Sequence, residues 1–327
     1  MKKWMKMTAT MMVAAMALTA CGGSEAPADE AASGETYTVG IIQQLEHPAL
    51  DAATQGFQDK LTELLGEENV VFDYQNAQGE QTNCTTIATK FVSNDVDLIM
   101  ANATTALQSA AAATGDIPIV GTSVTDYVTA GVVDSNEAPG KNVTGASDLA
   151  PIDEQIAMLL DLVPDVQKVG IVYCSAEPNS IYQSKLAQAE LDKANVAWAE
   201  YTAADSNEVQ SVVTKAVSEC DVLYVPTDNT MANNTEIIKN VAVPAGVPVI
   251  AGEEGICSGC GVATLSISYY DLGVKAAEMA YDILVNGANP AEMPIEYVSD
   301  GITEKYNPEI VEALAMAVPE GMVAIGE

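Results

Sequence analysis

Arginine is missing from all 327 residues, and histidine occurs once, at His47. The 13 basic side chains are lysines, set against 46 Asp and Glu, for a net charge of −33. So acidic a chain, without the guanidinium that binds phosphate best, excludes nucleic acid as a natural partner. It also excludes docking on anionic lipid through a basic face. Large rings are scarce, with two Trp and three Phe, which argues against a ring-sandwiching sugar site. No run beyond the N-terminus reaches the ~18 apolar residues needed to span a bilayer. Absent too are a Walker loop, a Gly-x-Ser-x-Gly elbow, a Gly-x-Gly-x-x-Gly turn and a metal-ligand cluster. His47 has Glu46 beside it but no obvious nucleophile. No catalysis, cofactor or metal is therefore expected. What is present, 48% hydrophobic residues over this length, suffices for two globular lobes.

The first twenty residues read as an address. Lys2, Lys3 and Lys6 precede the apolar run Met11–Leu18, too short to span a membrane and flanked like a secretory signal. The run ends Leu18-Thr19-Ala20-Cys21, which resembles a bacterial lipobox, implying lipidation of Cys21. Residues 21–36 then form an acidic tether with no aliphatic side chain larger than Ala in its Gly- and Ala-rich stretch. The expected location is extracytoplasmic, lipid-anchored to the cell membrane. Of the later cysteines, Cys257-Ser-Gly-Cys260 has redox or zinc spacing but no second pair and no nearby His. A local disulfide or two inert thiols in a Gly-rich turn is the expectation.

From Tyr37 onward, short β-branched runs alternate with Ala-rich amphipathic stretches. Strands are expected at 37–43, 70–75, 97–101 and 117–123, then at 168–174, 196–201, 221–227 and 247–253. Helices are expected at 49–65, 80–93, 104–114, 180–194, 206–218 and 229–242. Continuous apolar strands separated by helices predict parallel sheets covered on both faces. The chain also echoes itself. Val39-Gly-Ile-Ile42 returns as Val169-Gly-Ile-Val172, and Ile117-Pro-Ile-Val120 as Val247-Pro-Val-Ile250, both 130 positions on. Two similar doubly wound lobes follow. Ligands of such sheets bind at the loops after the strands.

Those loops are polar. They hold His47, Asn76, Thr104, Thr105, Ser123, Thr125 and Asp126 in the first lobe. In the second they hold Asn179, Ser180, Thr227, Asp228, Asn229, Glu253 and Glu254, with Tyr269 just after a crossover. Consecutive Glu253 and Glu254 should face opposite ways on an extended loop. Thr104 or Thr105 is a candidate helix cap as well as a ligand contact, and a cap is the alternative role for Asp228.

The stretches EHPALDAA (46–53), YQNAQG (74–79), NVTGASDL (142–149), YVPTDNT (224–230), VIAGEEG (249–255) and YYDLG (269–273) carry a resemblance. In order and content they are similar to the tryptophan/tyrosine-type substrate-binding proteins of ABC importers. The resemblance implies a type I periplasmic-binding-protein-like fold, α/β, with two parallel-sheet lobes joined by three crossovers. It implies lobe one at 37–145 plus 269–290 and lobe two at 146–268 plus 291–327. It further implies a monomer that captures an aromatic amino acid and passes it to an ABC permease with its ATPase. A branched-chain amino acid, nucleoside or sugar is the alternative ligand, and a ligand-sensing module the alternative role. Without Arg, the carboxylate of a zwitterion would rely on hydroxyls and the N–H groups opening the helix at Thr104-Thr105. Its ammonium would face Asp228, Glu253 or Glu254.

Overall fold

The computed structural model describes residues 36–298, 302–318 and 320–326. The signal and lipidation expectations, Cys21 included, lie outside them, as does all but the last residue of the expected tether.

The first series of elements runs β1 (Tyr37–Gln43), α1 (Pro48–Leu65), β2 (Val70–Asn76), α2 (Gln81–Ser93), β3 (Leu98–Asn102), α3 (Thr104–Ala113), β4 (Ile119–Val124) and β5 (Val143–Ser147). The second runs α4 (Ile152–Leu162), β6 (Lys168–Cys174), α5 (Pro178–Ala194), β7 (Ala197–Ala203), α6 (Val209–Glu219), β8 (Val222–Val225), α7 (Asn229–Ala232), α8 (Thr235–Ala245), β9 (Val249–Ala251), α9 (Glu254–Cys260) and β10 (Ala263–Ser266). The chain then closes with α10 (Tyr269–Leu284), β11 (Glu296–Tyr297), β12 (Thr303–Tyr306), α11 (Pro308–Ala313) and β13 (Val323–Ala324).

Two sheets result. The first has the order β2-β1-β3-β4-β5-β11 and is parallel throughout. The second, β7-β6-β8-β9-β10-β12-β13, repeats that winding, with β12 antiparallel to β10. The 130-residue echo thus places matching strands at matching positions: β1 and β6 at the switch point, β4 and β9 further out. Each sheet is apolar on both faces. Phe91, Ile99 and Leu107 lie on one side of the first, and Phe57, Leu61 and Met100 on the other. Val172, Leu223 and Ile256, then Leu159, Ile171 and Ile250, do the same for the second.

Helix α10 follows a second-sheet strand yet packs on the first lobe, most extensively against α1. Two glycines allow the approach. A Cβ on Gly56 would lie 2.1 Å from the Tyr270 carbonyl oxygen, and one on Gly273 2.0 Å from that of Ala53. The helix pair therefore meets backbone to backbone, and any side chain at either glycine would force it apart.

Two expectations need correction. The boundary at 145/146 falls inside β5, whose Ala146 and Ser147 stay in the first sheet. The stretch from 291 is not wholly second-lobe, because Glu296 and Tyr297 extend the first sheet by pairing with those same residues. Two-residue β11 has too little pattern to be read from sequence. In addition, Cys257 and Cys260 lie on helix α9 rather than in a turn. Both are buried free thiols.

Candidate functional site

The loops after the strands of both sheets meet around a narrow void. Its free volume, about 10 Å³, is room for about one water, so the two lobes stand nearly in contact there.

Four pieces of the first lobe border it. His47, extended at φ −161°, precedes Pro48, whose fixed φ starts α1, and Leu50 sits one turn on. Ser123, next to last in β4, has φ +56°, a left-handed conformation costly for a residue with a Cβ. Asp148 follows β5, and Tyr269 opens α10. From the second lobe come Asn179, the triplet Thr227-Asp228-Asn229, Ala232 and Glu253.

Three acids therefore face one closed space, with no Lys or Arg in its wall. Asp148 accepts from the Thr125 hydroxyl at 2.9 Å and from the Tyr269 hydroxyl at 3.0 Å, and burial pushes its carboxyl up to about 6. Glu253 caps α9 by accepting the Gly255 and Ile256 N–H groups; burial carries it to about 7. Asp228 is raised by burial and by neighbouring Glu177. Burial disfavours the ionised form of all three, and no cation in the wall offsets it.

Two residues of the same wall carry polar atoms with nothing to bond. Ser123 Oγ and His47 Nδ1 are buried without a protein partner. Such orphans are costly and rare in native folds. His47 Nε2 lies 3.3 Å from Asn229 Oδ1 across the cleft, and Gln183 Nε2 reaches Thr125 Oγ1 at 3.2 Å. These hydrogen bonds join the two lobes.

Eight of the fifteen expected ligand residues border the void: His47, Ser123, Asn179, Thr227, Asp228, Asn229, Glu253 and Tyr269. Seven do not. Asn76 accepts from the Gln78 N–H and Asp126 from that of Thr129, both holding turns. Thr104 is buried at the start of α3, and the Thr105 N–H is taken by Gln44 Oε1 at 3.2 Å. The anion seat expected at this helix start is thus already occupied by a side chain of the protein. Thr125 and Ser180 are one layer back, bonded to Asp148 and Asp228. Glu254 turns away to Lys305 at 2.7 Å.

Asp148, Leu50 and Ala232 were missed. The acid lies within the stretch 142–149 that carries part of the family resemblance, and its place next to a strand end was its only other signal. Glu177 was also missed. Its two oxygens accept from Asn229, Thr230 and Asn179 and fasten the loop that carries Asp228.

Two doubly wound lobes closing on a small polar void define a binding protein. The chain belongs to the ABC transporter substrate-binding protein family, whose model matches residues 38–326. Members are solute binders, not enzymes. The chain is 39% identical over 265 residues to a tyrosine-binding protein of Clostridioides difficile, covering 80% of this chain and 76% of that one. It resembles a Streptococcus pneumonia ABC domain in complex with L-Trp (31% identity, 88% and 100% of the chains, TM-score 0.85). It is also similar to the ligand-free, open structure of a Clostridium difficile substrate-binding protein with adhesive properties (38%, 89% and 99%, TM-score 0.69).

Proposed function

We propose that the chain captures an aromatic amino acid, tyrosine or tryptophan, between its lobes and hands it to an ABC permease. The observation that carries this reading is the charge layout of the void. Asp148, Asp228 and Glu253 are buried together without a cation, and two residues of the same wall, Ser123 and His47, each carry a buried polar atom without a partner, Oγ and Nδ1. A zwitterion offers one ammonium to the acids and a carboxylate to the hydroxyl of Ser123. Likeness to a tyrosine-binding protein and to an L-Trp complex supports the side chain's class. Closure around the guest is what a permease would read.

The lipobox at Cys21 supports an extracytoplasmic position tied to the membrane by acyl chains. Cys21→Ser should release the protein from membranes with ligand affinity unchanged.

A thermal-shift screen of the full-length protein tests the ligand class. At 100 times the dissociation constant, tyrosine or tryptophan should add about 2.7 kcal/mol of stability. A shift with a nucleoside or sugar and none with any amino acid would reject the proposal.

A further inference from the structure

The Asn229 side chain offers its two amide ends to different partners. Nδ2 donates to Glu177 Oε2 at 2.8 Å, while Oδ1 faces His47 Nε2 at 3.3 Å. Glu177 dictates that orientation. Its Oε2 also accepts the Asn229 backbone N–H at 3.0 Å, and its Oε1 accepts the Thr230 N–H and hydroxyl at 2.8 and 2.7 Å. Both oxygens act as acceptors, so only the NH₂ end of Asn229 can face them.

The carbonyl end is left for His47, and Nε2 must therefore carry the hydrogen. Burial lowers the imidazole's pKa and keeps the ring neutral. A neutral ring protonated at Nε2 has a bare acceptor at Nδ1. That atom is buried, has no protein partner, and belongs to a residue in the wall of the void. The three acids nearby are the natural seat of an ammonium. An uncharged acceptor is suited instead to a neutral donor.

The geometry points to His47 as the residue that reads the ligand's side chain, Nδ1 accepting from a phenol O–H or an indole N–H. Glu177 and Asn229 are its positioning residues. The inference rests on the aromatic amino acid reading above and adds a rule to it. Phenylalanine has the same zwitterion and nearly the same ring but no ring-borne donor, and would leave Nδ1 buried and unpaired. Sites built to bond a substrate O–H or N–H reject the analogue lacking it, whereas mere ring size discriminates weakly.

The chain has one histidine, so ¹⁵N-histidine labelling of the full-length protein gives a single imidazole to follow. The expected spectrum is the neutral Nε2–H tautomer, with the Nδ1 resonance moving when tyrosine or tryptophan is added. By calorimetry tyrosine and tryptophan should bind at least tenfold tighter than phenylalanine, and His47→Ala should bring the three within about threefold of one another. An Nδ1–H tautomer, or phenylalanine binding as well as tyrosine to the unaltered protein, would overturn the assignment; neither measurement depends on the variant folding. An equal loss for all three ligands in His47→Ala would also overturn it, since His47 would then serve the shared backbone of the ligand. Binding of none of the three would instead remove the amino acid reading, and this inference with it.

Discussion

Ser180 donates its hydroxyl to Asp228 Oδ2 at 2.7 Å, and that same oxygen accepts the Cys174 N–H at 2.6 Å. Asp228 Oδ1 meanwhile accepts the Met231 N–H at 2.8 Å and caps α7. The acid bordering the void is thus also a structural keystone joining β6, α5 and α7. The cap is made in the structure, and the ligand contact is the duty proposed for the same side chain.

Asp228→Asn should therefore lower both stability and affinity. An amide retains one oxygen, so its NH₂ must face a backbone N–H that had an acceptor, at about 1–3 kcal/mol. Chemical denaturation and tyrosine titration of the same preparation measure the two losses. Intact stability with reduced affinity would mean that the cap is dispensable.

The buried acids set a pH dependence of definite sign. Asp148 and Glu253 have folded pKa values near 6 and 7, above those of the unfolded chain. The folded state holds extra protons between about pH 4 and 7, so their contribution to stability is full below that window and falls as pH rises through it. The loss approaches roughly 3 kcal/mol for each carboxyl. An arriving ammonium favours the ionised forms, so tyrosine affinity should rise from pH 5 to 8 with release of protons. Asp148→Asn should flatten both slopes. Affinity independent of pH, measured by calorimetry in two buffers, would contradict this coupling.

Much of the fold was legible, because its strands are continuous apolar runs bounded by polar loops. The expected 168–174 and 37–43 are the observed β6 and β1 to the residue. The expected helix 229–242 is instead α7 and α8, broken at Asn233–Asn234, since two polar residues in a helical period leave no pattern by which to see a break. The C-terminal strands escaped because they are two to four residues long and owe their state to pairing, β11 with β5, β12 with β10 and β13 with β12. Strand ends pointed to the loops that border the void, but not to which side chain turns inward. Asn76 and Asp126 were selected by type, and local turns claimed their oxygens. Asp148 needed tertiary information, because its role depends on Tyr269, 121 residues away.

Glu253 and Glu254 should behave as unlike residues. Glu253→Ala strips two backbone N–H groups at the start of α9 of their acceptor, at about 1–2 kcal/mol, and removes one acid from the ligand wall. Glu254→Ala breaks a half-exposed pair with Lys305, a change of under about 1 kcal/mol, and touches nothing in the void. Melting temperature and tyrosine affinity should both fall in the first variant and stay near their starting values in the second. Equal affinity losses would show that Glu254 also serves the cleft.

Ser123 separates stability from binding in the opposite direction. Its left-handed backbone costs a residue with a Cβ about 1–2 kcal/mol, and its buried hydroxyl adds the penalty of an unmade hydrogen bond. Neither expense helps the ligand-free protein. Ser123→Gly removes both, offset in part by the greater freedom of glycine in the unfolded chain. The variant should melt higher than the parent by an amount worth about 1 kcal/mol, yet bind tyrosine at least tenfold more weakly, having lost a donor to the ligand. Tyramine, which has the ammonium and phenol but no carboxylate, should bind parent and variant alike. If tyrosine and tyramine weaken together, Ser123 shapes the void without meeting the carboxylate; if the melting temperature falls, the hydroxyl has a structural partner after all.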